Sequence, residues 1–410
     1  MTLDARRAPR LAALALGLGL LLRLAYCWRG AHALPTTNDF YENIALTLLH
    51  GGGYGYGFAP GVPTSGREPV YPLFIAGVYA VFGEHPAAVI FLQCLMSAAT
   101  GWLLWRTGRR LFGEAAGLAA LAAFMVYPQS IYYCAYFFRE TLMCLAFGVM
   151  LWASLDWGAE PGDPAGERGA LWAGLGATAF GMANSALLPA CALSGLLIWA
   201  VAPPRARLRR FALYTAPLVL AFGVWTVRNW KVHHRFIAGS THGGEEFYRA
   251  LLVPPDEANT PRVVEILSTD PIIQSGTLLP EAERNAVFTK AAFRWIGDHP
   301  GEFVSRAVGG VMKYWKLWPY RMTTYGHSYA LLVLVSLLSD GWIIPLGFVG
   351  LWLFRARWRE LPVLPACALA MTGVYGAVHA VIRYRLPLMQ GMILLSCAVL
   401  SRALLRLKAR

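Results

Sequence analysis

Two carboxylates and several arginines in an otherwise apolar chain have the residue types needed for acid–base and anion-binding chemistry. Asp39 follows the first apolar stretch, and a carboxylate at a helix start beside a membrane can accept a proton. Glu140 follows Arg139 at the end of a later apolar stretch, where an ionisable pair is costly unless it is matched or used. Guanidinium groups hold anions by bidentate hydrogen bonds, and the candidates are Arg67, Arg139, Arg228, Arg383 and Arg385.

These candidates also have structural interpretations. The segment Asp39-Phe40-Tyr41-Glu42 fits a capping box for a helix that ends at Gly51-Gly52-Gly53. Arg139 and Glu140 fit a structural ion pair, and Arg228 fits a membrane-interface anchor. A capping carboxylate can also accept a proton, so the two interpretations of Asp39 are compatible.

A metal site is not predicted from spacing. His233, His234 and His242 lie at the start of a polar loop, and no HExxH or comparable motif accompanies them. The seven cysteines are scattered without a CxxC pair, so neither a zinc site nor a disulfide framework is indicated. No cofactor is identified, and whether a divalent cation assists stays open.

The composition predicts a polytopic membrane protein. Of 410 residues, 57% are hydrophobic and 14% are charged, far less charge than a soluble domain of this size carries. The formal net charge is +13, but most basic residues lie in short clusters between apolar runs. That distribution is typical of membrane orientation signals and not of a nucleic-acid-binding face.

The apolar runs predict an all-α integral membrane fold with about ten transmembrane helices. A hydrocarbon core needs about 20 apolar residues per helix. The candidate spans are 11–28, 86–105, 115–133, 137–155, 169–183, 186–202, 211–227, 328–354, 362–380 and 386–404. With the N-terminus inside, the arginine clusters fall in inner segments, as the orientation rule requires. Inner segment 156–168 is acidic and has no account at this stage.

Under this topology residues 1–410 form a single transmembrane domain with two long outer loops, 29–85 and 228–327. The apolar segment 71–82 is too short to span and is interpreted as a re-entrant or interfacial helix. Helical spacing of apolar residues in 288–295 and 304–315 predicts amphipathic helices in the second loop. Arg383 and Arg385 fall in an outer turn, against the orientation bias, which favours an anion ligand.

Several short motifs follow one another along residues 11–404. They are Asp39 with Tyr41 and Ala45, Gly51-Gly52-Gly53, Arg67-x-Pro69-x-Tyr71-Pro72-Leu73-Phe74, Gly108-Arg109-Arg110-Leu111-Phe112-Gly113, Tyr127-Pro128, Glu140-Thr141-Leu142, Trp225-x-x-Arg228-Asn229 and Arg383-Tyr384-Arg385-x-Pro387. In this order and spacing they resemble bacterial members of glycosyltransferase family 39. These are GT-C-type enzymes related to protein O-mannosyltransferases and to the lipid A aminoarabinose transferase.

The resemblance implies a GT-C-type helical bundle, catalysis in the first outer loop, a polyprenyl-phosphate-linked sugar as donor, and Asp39 as general base. Independently of the resemblance, Glu140 is predicted as a second catalytic residue that orients an arginine or a sugar hydroxyl. The predicted substrate-binding residues are Arg67, Tyr71, Arg139, Arg228, Arg383, Tyr384 and Arg385. The family's protein mannosyltransferases carry an Asp-Glu pair where this chain has Asp39-Phe40, which disfavours protein mannosylation. The chain is also expected to lack the soluble C-terminal domain of oligosaccharyltransferases.

The expected reaction is inverting transfer of a hexosyl or pentosyl group to a hydroxyl of a glycan, lipid or protein. The expected location is the bacterial inner membrane, with the site facing the periplasm or exterior. The expected partners are the lipid-linked donor, a hydroxyl acceptor and membrane lipids, with no nucleic acid. A transporter or flippase for lipid-linked sugars and a polysaccharide ligase are the alternatives. The sequence does not identify the sugar, the acceptor or the oligomeric state.

Overall fold

The computed structural model describes residues 7–30, 39–59, 61–253, 262–319 and 328–408, without the side chains of residues 29, 30 and 408. Within these ranges the chain forms α-helices and short 3-10 turns and contains no strand. The predicted all-α fold is therefore confirmed. Parts of both predicted outer loops, 31–38, residue 60, 254–261 and 320–327, lie outside the described residues.

The described α-helices are numbered in chain order. They are α1 (Ala8–Gly30), α2 (Tyr41–Leu49), α3 (Val70–Phe82), α4 (Pro86–Phe112), α5 (Glu114–Met125), α6 (Pro128–Tyr132), α7 (Glu140–Ser154), α8 (Pro164–Ala183), α9 (Leu188–Val201), α10 (Arg207–His233), α11 (Gly243–Leu252), α12 (Arg262–Thr269), α13 (Pro271–Gly276), α14 (Glu281–Asp298), α15 (Pro300–Tyr314), α16 (Tyr329–Leu353), α17 (Val363–Ala377) and α18 (Leu386–Lys408).

Every predicted span contains a helix, but the helices differ in length. Five helical segments of the described chain are long and apolar enough to cross a membrane: Ala8–Trp28, Pro86–Phe112, Pro204–His233, Tyr329–Leu353 and Ile382–Leu407. Shorter apolar helices include Val70–Phe82, Glu114–Met125, Glu140–Ser154, Ser185–Val201 and Val363–Ala377. A multi-pass membrane protein follows from these lengths and compositions, whereas the count of ten spans stays a prediction.

The predicted span 115–133 is broken into two helices. Helix α5 ends at Met125 and α6 begins at Pro128. The ring of proline excludes the helical conformation of the preceding residue, and Tyr127 is extended, with φ −67° and ψ 118°. One apolar run therefore yields a short helix, a sharp turn and a second short helix.

The ambiguous segment 71–82 is indeed helical. Helix α3 has 13 residues, which at 1.5 Å per residue is about 20 Å and too short to cross the hydrocarbon core. Tyr71, Ile75 and Tyr79 are buried on it and pack in one cluster with Tyr41 and Ala45 of α2. Helices α2 and α3 therefore form one packed unit of the first loop, and the re-entrant placement of α3 stays a prediction.

The predicted amphipathic helices of the second loop are also present, as α14 and α15. Helix α15 lies tightly against α17. A Cβ atom on Gly310 would come within 2.0 Å of the carbonyl oxygen of Gly376, so only glycine fits there. Small residues allow this close helix approach in membrane proteins, and the contact fixes the second loop to the helical bundle.

Fully buried arginines donate hydrogen bonds to backbone carbonyls at several helix ends. Arg23 of α1 donates to the carbonyls of Met125 at 2.7 Å and Phe124 at 3.3 Å, at the C-terminus of α5. Terminal carbonyls lack partners within their own helix, and in a membrane water cannot replace them. The guanidinium takes that role and also complements the negative end of the helix dipole.

Arginines of neighbouring helices also contact segment 156–168, which the sequence analysis left without an account. Arg210 of α10 is fully buried and donates to the carbonyls of Trp157, Ala159 and Glu160 at 2.8, 2.7 and 3.1 Å. Asp156 also pairs with Arg110 at 2.6 Å. The segment is thus held by arginines of neighbouring helices, which local sequence does not reveal.

Helix α16 contains a buried carboxylate that the spacing of residues did not single out. Asp340 is 1% exposed and lies 2.5 Å from Nη2 of Arg385, which is 0% exposed. Tyr127 donates to Asp340 at 2.7 Å. Arg385 also donates to the carbonyls of Tyr314 at 2.8 Å and Lys316 at 2.6 Å. This network joins the end of α15 to α16 and to the turn before α18.

We expect Asp340→Leu to destabilise the protein by about 3–5 kcal/mol, because it leaves Arg385 as an uncompensated buried charge. Glu360→Gln is the control, since it breaks the surface pair with Arg357, whose atoms are 2.6 Å apart, and should cost at most about 1 kcal/mol. Reversible unfolding in detergent measures both. Equal stability of the two variants would contradict a structural role for Asp340.

Candidate active site

Four charged side chains from three distant segments meet at one site. Asp39 lies 3.4 Å from Nη2 of Arg67 and 3.6 Å from Nη1 of Arg383, measured from its two carboxylate oxygens. Arg383 also lies 2.9 Å from Oε1 of Glu140, measured from Nε. The loop that contains Asp39 and Arg67, the start of α7 and the turn before α18 therefore converge.

Asp39 does not cap helix α2. The residue before the helix is Phe40, and no side chain hydrogen-bonds to the free N–H groups of the first turn. The Asp39 carboxylate is turned toward the two guanidinium groups instead, while Glu42 accepts a hydrogen bond from Tyr79 at 2.5 Å. The capping-box prediction is wrong, because charge pairing with distant arginines competes successfully for this carboxylate.

Phe40 has an uncommon backbone conformation directly beside Asp39. Its φ of 57° lies in the left-handed region, which costs a bulky residue on the order of 1–3 kcal/mol. Its ring packs edge-on against Tyr56 at 5.5 Å and Phe58 at 5.7 Å between centroids. These contacts hold the chain reversal that directs Asp39 toward the arginines.

Arg67 fixes the backbone as well as the side chain of Asp39. Its Nε donates to the Asp39 carbonyl at 3.0 Å. Tyr54 donates its phenolic hydrogen to the Arg67 carbonyl at 3.0 Å. Burial raises the pKa of Tyr54 well above its ordinary value, so this phenol stays a protonated donor at neutral pH.

Glu140 is 1% exposed in its side chain and faces Arg383. Neither of its oxygens receives a hydrogen bond from the residues that the structure describes, and the Nε–H of Arg383 is not directed at it despite the 2.9 Å separation. A buried carboxylate without hydrogen bonds is costly. It therefore has unused capacity to accept hydrogen bonds from a bound molecule.

Arg383 lies among aromatic rings. Its guanidinium carbon is 4.6 Å from the ring centroid of Phe138 and 5.0 Å from that of Tyr384, and Nη2 donates to the Tyr384 hydroxyl at 3.3 Å. Tyr384 stacks in turn on Tyr375 at 4.7 Å. Cation–π contacts of this kind orient a guanidinium without neutralising it, so Arg383 keeps its charge for the site.

Arg139 has its hydrogen-bond partners outside the group formed by Asp39, Arg67, Glu140 and Arg383. It pairs with Glu68 at 3.1 Å and donates to the carbonyl of Ala183 at 2.9 Å, at the end of α8. Glu68 also accepts from the backbone and hydroxyl of Ser185 at 2.8 and 2.6 Å. The predicted anion-binding role of Arg139 stays a prediction, and in the free protein its side chain joins the segments that contain Glu68 and Ala183.

Arg228 of α10 donates several hydrogen bonds to the first loop. It donates to the Thr64 carbonyl and the Ser65 hydroxyl at 2.7 Å each, and to the Tyr54 carbonyl at 3.2 Å. These bonds secure the chain just before Arg67. Its predicted contact with substrate stays a prediction, and the interface-anchor interpretation does not account for these loop contacts.

Glu281, the first residue of α14, connects the second loop to Thr64 and Ser65 of the first loop. Its carboxylate accepts from the Thr64 hydroxyl at 2.8 Å and the Ser65 backbone N–H at 2.5 Å, and lies 3.2 Å from Nε2 of His233. His242 pairs separately with Glu246 at 3.1 Å. No group of three His, Cys, Asp or Glu side chains in the described ranges is arranged to hold a metal ion.

Two further predicted substrate ligands do not reach the site. Arg385 is enclosed in the Asp340 network, because successive residues of the 3-10 turn point in different directions. Tyr71 is fully buried and donates to Gln93 at 2.7 Å. Sequence reasoning also missed the residues that pair with or support these side chains, namely Glu68, Ser185, Glu281 and Asp340. Of these, only Glu68 lies inside a motif that had been noted.

Comparison with known proteins gives one family match. Residues 63–230 match the family model described as dolichyl-phosphate-mannose-protein mannosyltransferase. This range contains Arg67, Arg139, Glu140 and Arg228 but not Asp39 or Arg383. No curated protein sequence matches the chain.

Solved structures extend the similarity along the whole chain. The apo oligosaccharyltransferase of Archaeoglobus fulgidus has a TM-score of 0.58 at 14% identity, covering 98% of this chain and 52% of that one. AglB from Archaeoglobus fulgidus, an oligosaccharyltransferase in complex with an inhibitory peptide and a dolichol-phosphate, gives 0.53 at 13%, covering 98% and 51%. ArnT from Cupriavidus metallidurans bound to undecaprenyl phosphate gives 0.43 at 13%, covering 96% and 77%.

The chain spans about half the length of the oligosaccharyltransferase structures that it matches. At these identities the similarity concerns the fold, and the ArnT similarity is too weak to add to that assignment. The family-model match and the oligosaccharyltransferase similarity together confirm the resemblance drawn from the sequence motifs. The chain has the polytopic helical fold of the GT-C glycosyltransferases.

Proposed function

We propose that this protein is a membrane glycosyltransferase that moves a sugar from a polyprenyl-phosphate carrier to an acceptor hydroxyl. The observation that carries the proposal is the meeting of Asp39, Glu140, Arg67 and Arg383 at one site. The family description names a dolichyl-phosphate sugar, and the AglB complex contains dolichol-phosphate. Both support a lipid phosphate as the donor class.

Asp39 is the proposed general base. Its side chain is 24% exposed, so an acceptor hydroxyl can reach it, whereas Glu140 is enclosed. The acceptor oxygen attacks C1 of the sugar from the face opposite the phosphate, and the hydroxyl proton passes to Asp39. The C1–O bond to phosphate breaks as the new bond forms, and the phosphate leaves with the electron pair. The configuration at C1 is inverted.

Arg67 and Arg383 are the proposed phosphate ligands. Their contacts with Asp39, at 3.4 and 3.6 Å, are longer than the 2.7–2.9 Å of a strong charge-assisted hydrogen bond. Two guanidinium groups balance two carboxylates in the free site, and the arriving phosphate adds further negative charge. Guanidinium groups then stabilise the charge that develops on the leaving phosphate.

Glu140 is proposed to orient the sugar. Its carboxylate oxygens lack hydrogen-bond donors among the described residues, and sugar hydroxyl groups supply such donors. The ion pair with Arg383 holds this buried carboxylate in place. In this role Glu140 fixes C1 relative to Asp39, which is how positioning lowers the barrier of a bimolecular step.

A divalent cation would need Asp39 and Glu140 as its carboxylate ligands. The Arg383 guanidinium already lies between these two side chains, and the described residues provide no third acidic, histidine or cysteine ligand. This donor set does not fit a cation between the two carboxylates. The mechanism proposed here therefore takes its positive charge from the two arginines, and no step passes through a metal.

The site is proposed to face the periplasm or exterior of the bacterial inner membrane. Under the orientation rule the arginine clusters at 106–110 and 205–210 are cytoplasmic, and Asp39 falls on the opposite side. The polyprenyl chain would lie between membrane helices beside the site. A polysaccharide ligase would use the same donor chemistry with a glycan acceptor, so it is one form of this proposal.

Transport of a lipid-linked sugar is the less well-supported alternative. A transporter needs polar groups that face a path through the membrane. Two polar side chains of the apolar helices and their ends, Gln93 and Asn184, are both engaged in local hydrogen bonds. Gln93 donates to the carbonyls of Cys134 and Tyr136 at 3.0 Å each, and Asn184 donates to Tyr375 at 2.8 Å.

The donor and acceptor can be identified by mass spectrometry of envelope glycans, lipids and proteins from cells with and without the gene product. Transfer by purified protein from polyprenyl-phosphate sugars then tests the reaction directly. We expect one sugar modification to disappear with the gene product and to be restored in vitro. Export or flipping of the carrier without transfer would contradict the proposal.

We expect Asp39→Asn to lower the transfer rate at least about 100-fold, the lower end of general-base contributions, while undecaprenyl phosphate still binds. Glu84→Gln is the control, because this exposed carboxylate pairs only with His50, at 2.7 Å. Single-turnover transfer and lipid-binding titrations measure the two properties. Full activity of purified Asp39→Asn would eliminate Asp39 as the base.

We expect Arg383→Ala to weaken binding of undecaprenyl phosphate by about 10–100-fold, since charged hydrogen bonds contribute about 1.5–3 kcal/mol. Arg383→Lys keeps the charge beside Glu140 and should retain part of the affinity. Arg385→Ala should mainly lower the unfolding temperature. If Arg383→Ala binds as well as the natural protein, its guanidinium is not a phosphate ligand.

We expect Glu281→Gln to loosen the first loop, because its carboxylate accepts hydrogen bonds from Thr64 and Ser65. Amide exchange in residues 54–67 should accelerate about tenfold if about 1.4 kcal/mol is lost. Glu283→Gln is a matched control on the same helix, since Glu283 contacts only exposed Arg235, at 3.7 Å. Unchanged exchange in Glu281→Gln would show that the second loop does not secure the first.

A further inference from the structure

A charged cavity lies at the C-terminal end of α4 and is lined by residues other than those of the candidate active site. It has a volume of about 430 Å³ and is lined by Arg106, Arg109, Arg110, Gly113, Glu114 and Trp152. None of these residues takes part in the proposed transfer reaction. The cavity is bounded by the end of α4, the start of α5 and a face of α7.

The cavity carries an excess of positive charge. Arg109 lies 3.5 Å from Glu114, and Arg110 lies 2.6 Å from Asp156. Arg106 stacks over Trp102 at 5.4 Å, and no carboxylate of the described residues lies within ion-pair distance of it. Three guanidinium groups thus face two carboxylates. The balance favours an anionic ligand that adds at least one negative charge.

The position of the cavity is that of a lipid headgroup. Helix α4 has 27 residues, about 40 Å at 1.5 Å per residue, which exceeds a hydrocarbon core of about 30 Å. Its N-terminal half contains Gln93, which contacts the Tyr71 region of the first loop. The arginines at the other end therefore fall in the opposite headgroup layer, where Trp102 and Trp152 suit an interfacial belt.

An apolar cavity adjoins the same turn of α4. It has a volume of about 270 Å³ and is lined mainly by apolar side chains, among them Leu111, Phe112, Leu351, Phe354, Leu364 and Leu395. Leu111 and Phe112 directly follow Arg110 in α4. A charged cavity and an apolar one on two sides of one helix end together match an amphiphile with an anionic head.

We propose that the 106–114 cavity binds the phosphate headgroup of an anionic phospholipid, with an acyl segment in the neighbouring apolar cavity. Basic pockets between membrane helices bind such headgroups, and bidentate guanidinium contacts provide the phosphate recognition. This site is distinct from the donor site in residues and in side of the membrane. The proposal does not depend on which reaction the enzyme catalyses.

The test is lipid retention by the purified full chain in detergent, measured by native mass spectrometry. The probes are dioleoylphosphatidylglycerol, dioleoylphosphatidylcholine and inorganic phosphate. We expect the phosphatidylglycerol to bind at least tenfold more tightly than the phosphatidylcholine. We also expect Arg106→Gln/Arg110→Gln to reduce its binding at least tenfold, with millimolar inorganic phosphate unable to displace it.

The matched control is Arg205→Gln/Arg209→Gln, which removes two exposed arginines from another basic segment on the same predicted side. Equal loss in both double variants, or no preference for phosphatidylglycerol, would overturn the proposal in favour of general surface attraction. Displacement by inorganic phosphate would instead assign a free-anion site and also overturn it. Arg106→Gln alone is the second variant. It leaves no carboxylate without its ion-pair partner, so this variant should fold.

Discussion

The structure depends on how backbone carbonyls are satisfied at helix ends that lie within or beside the membrane. Water cannot take these carbonyls in the hydrocarbon region, and several helices here are too short to carry both ends into solvent. Buried guanidinium groups meet the need. Arg23, Arg139, Arg210 and Arg385 each donate to carbonyls at or just beyond a helix C-terminus. Each also complements the negative end of a helix dipole.

This constraint accounts for the hydrogen-bond partners of Arg139 and Arg385. Arg383 and Arg385 are two residues apart, yet their guanidinium groups have different partners and different roles. Arg385 is fixed by Asp340 and two carbonyls, and so anchors the turn before α18. Because that turn is anchored, Arg383 is held between Asp39 and Glu140 with its charge accessible to the site.

The candidate site also depends on contacts between the two outer loops. The chain from Tyr54 to Arg67 is secured by Arg228 from α10 and by Glu281 from α14. Arg67 in turn fixes the backbone of Asp39. In its described residues the second loop therefore contributes no charged side chain to the meeting of Asp39 with the arginines, but it restrains the segment that does.

Sequence patterns alone predicted the membrane class and most helix positions, and they singled out Asp39, Arg67 and Arg383 as candidates. These follow from local apolar runs, proline and glycine, and from charges placed against the orientation bias. The three-dimensional packing distinguishes the arginines that stabilise the fold from those at the candidate site. It also shows that Asp39 does not cap helix α2. The physical reason is that a guanidinium pairs with whichever carbonyl or carboxylate a distant segment presents. That choice depends on packing and is invisible in local spacing.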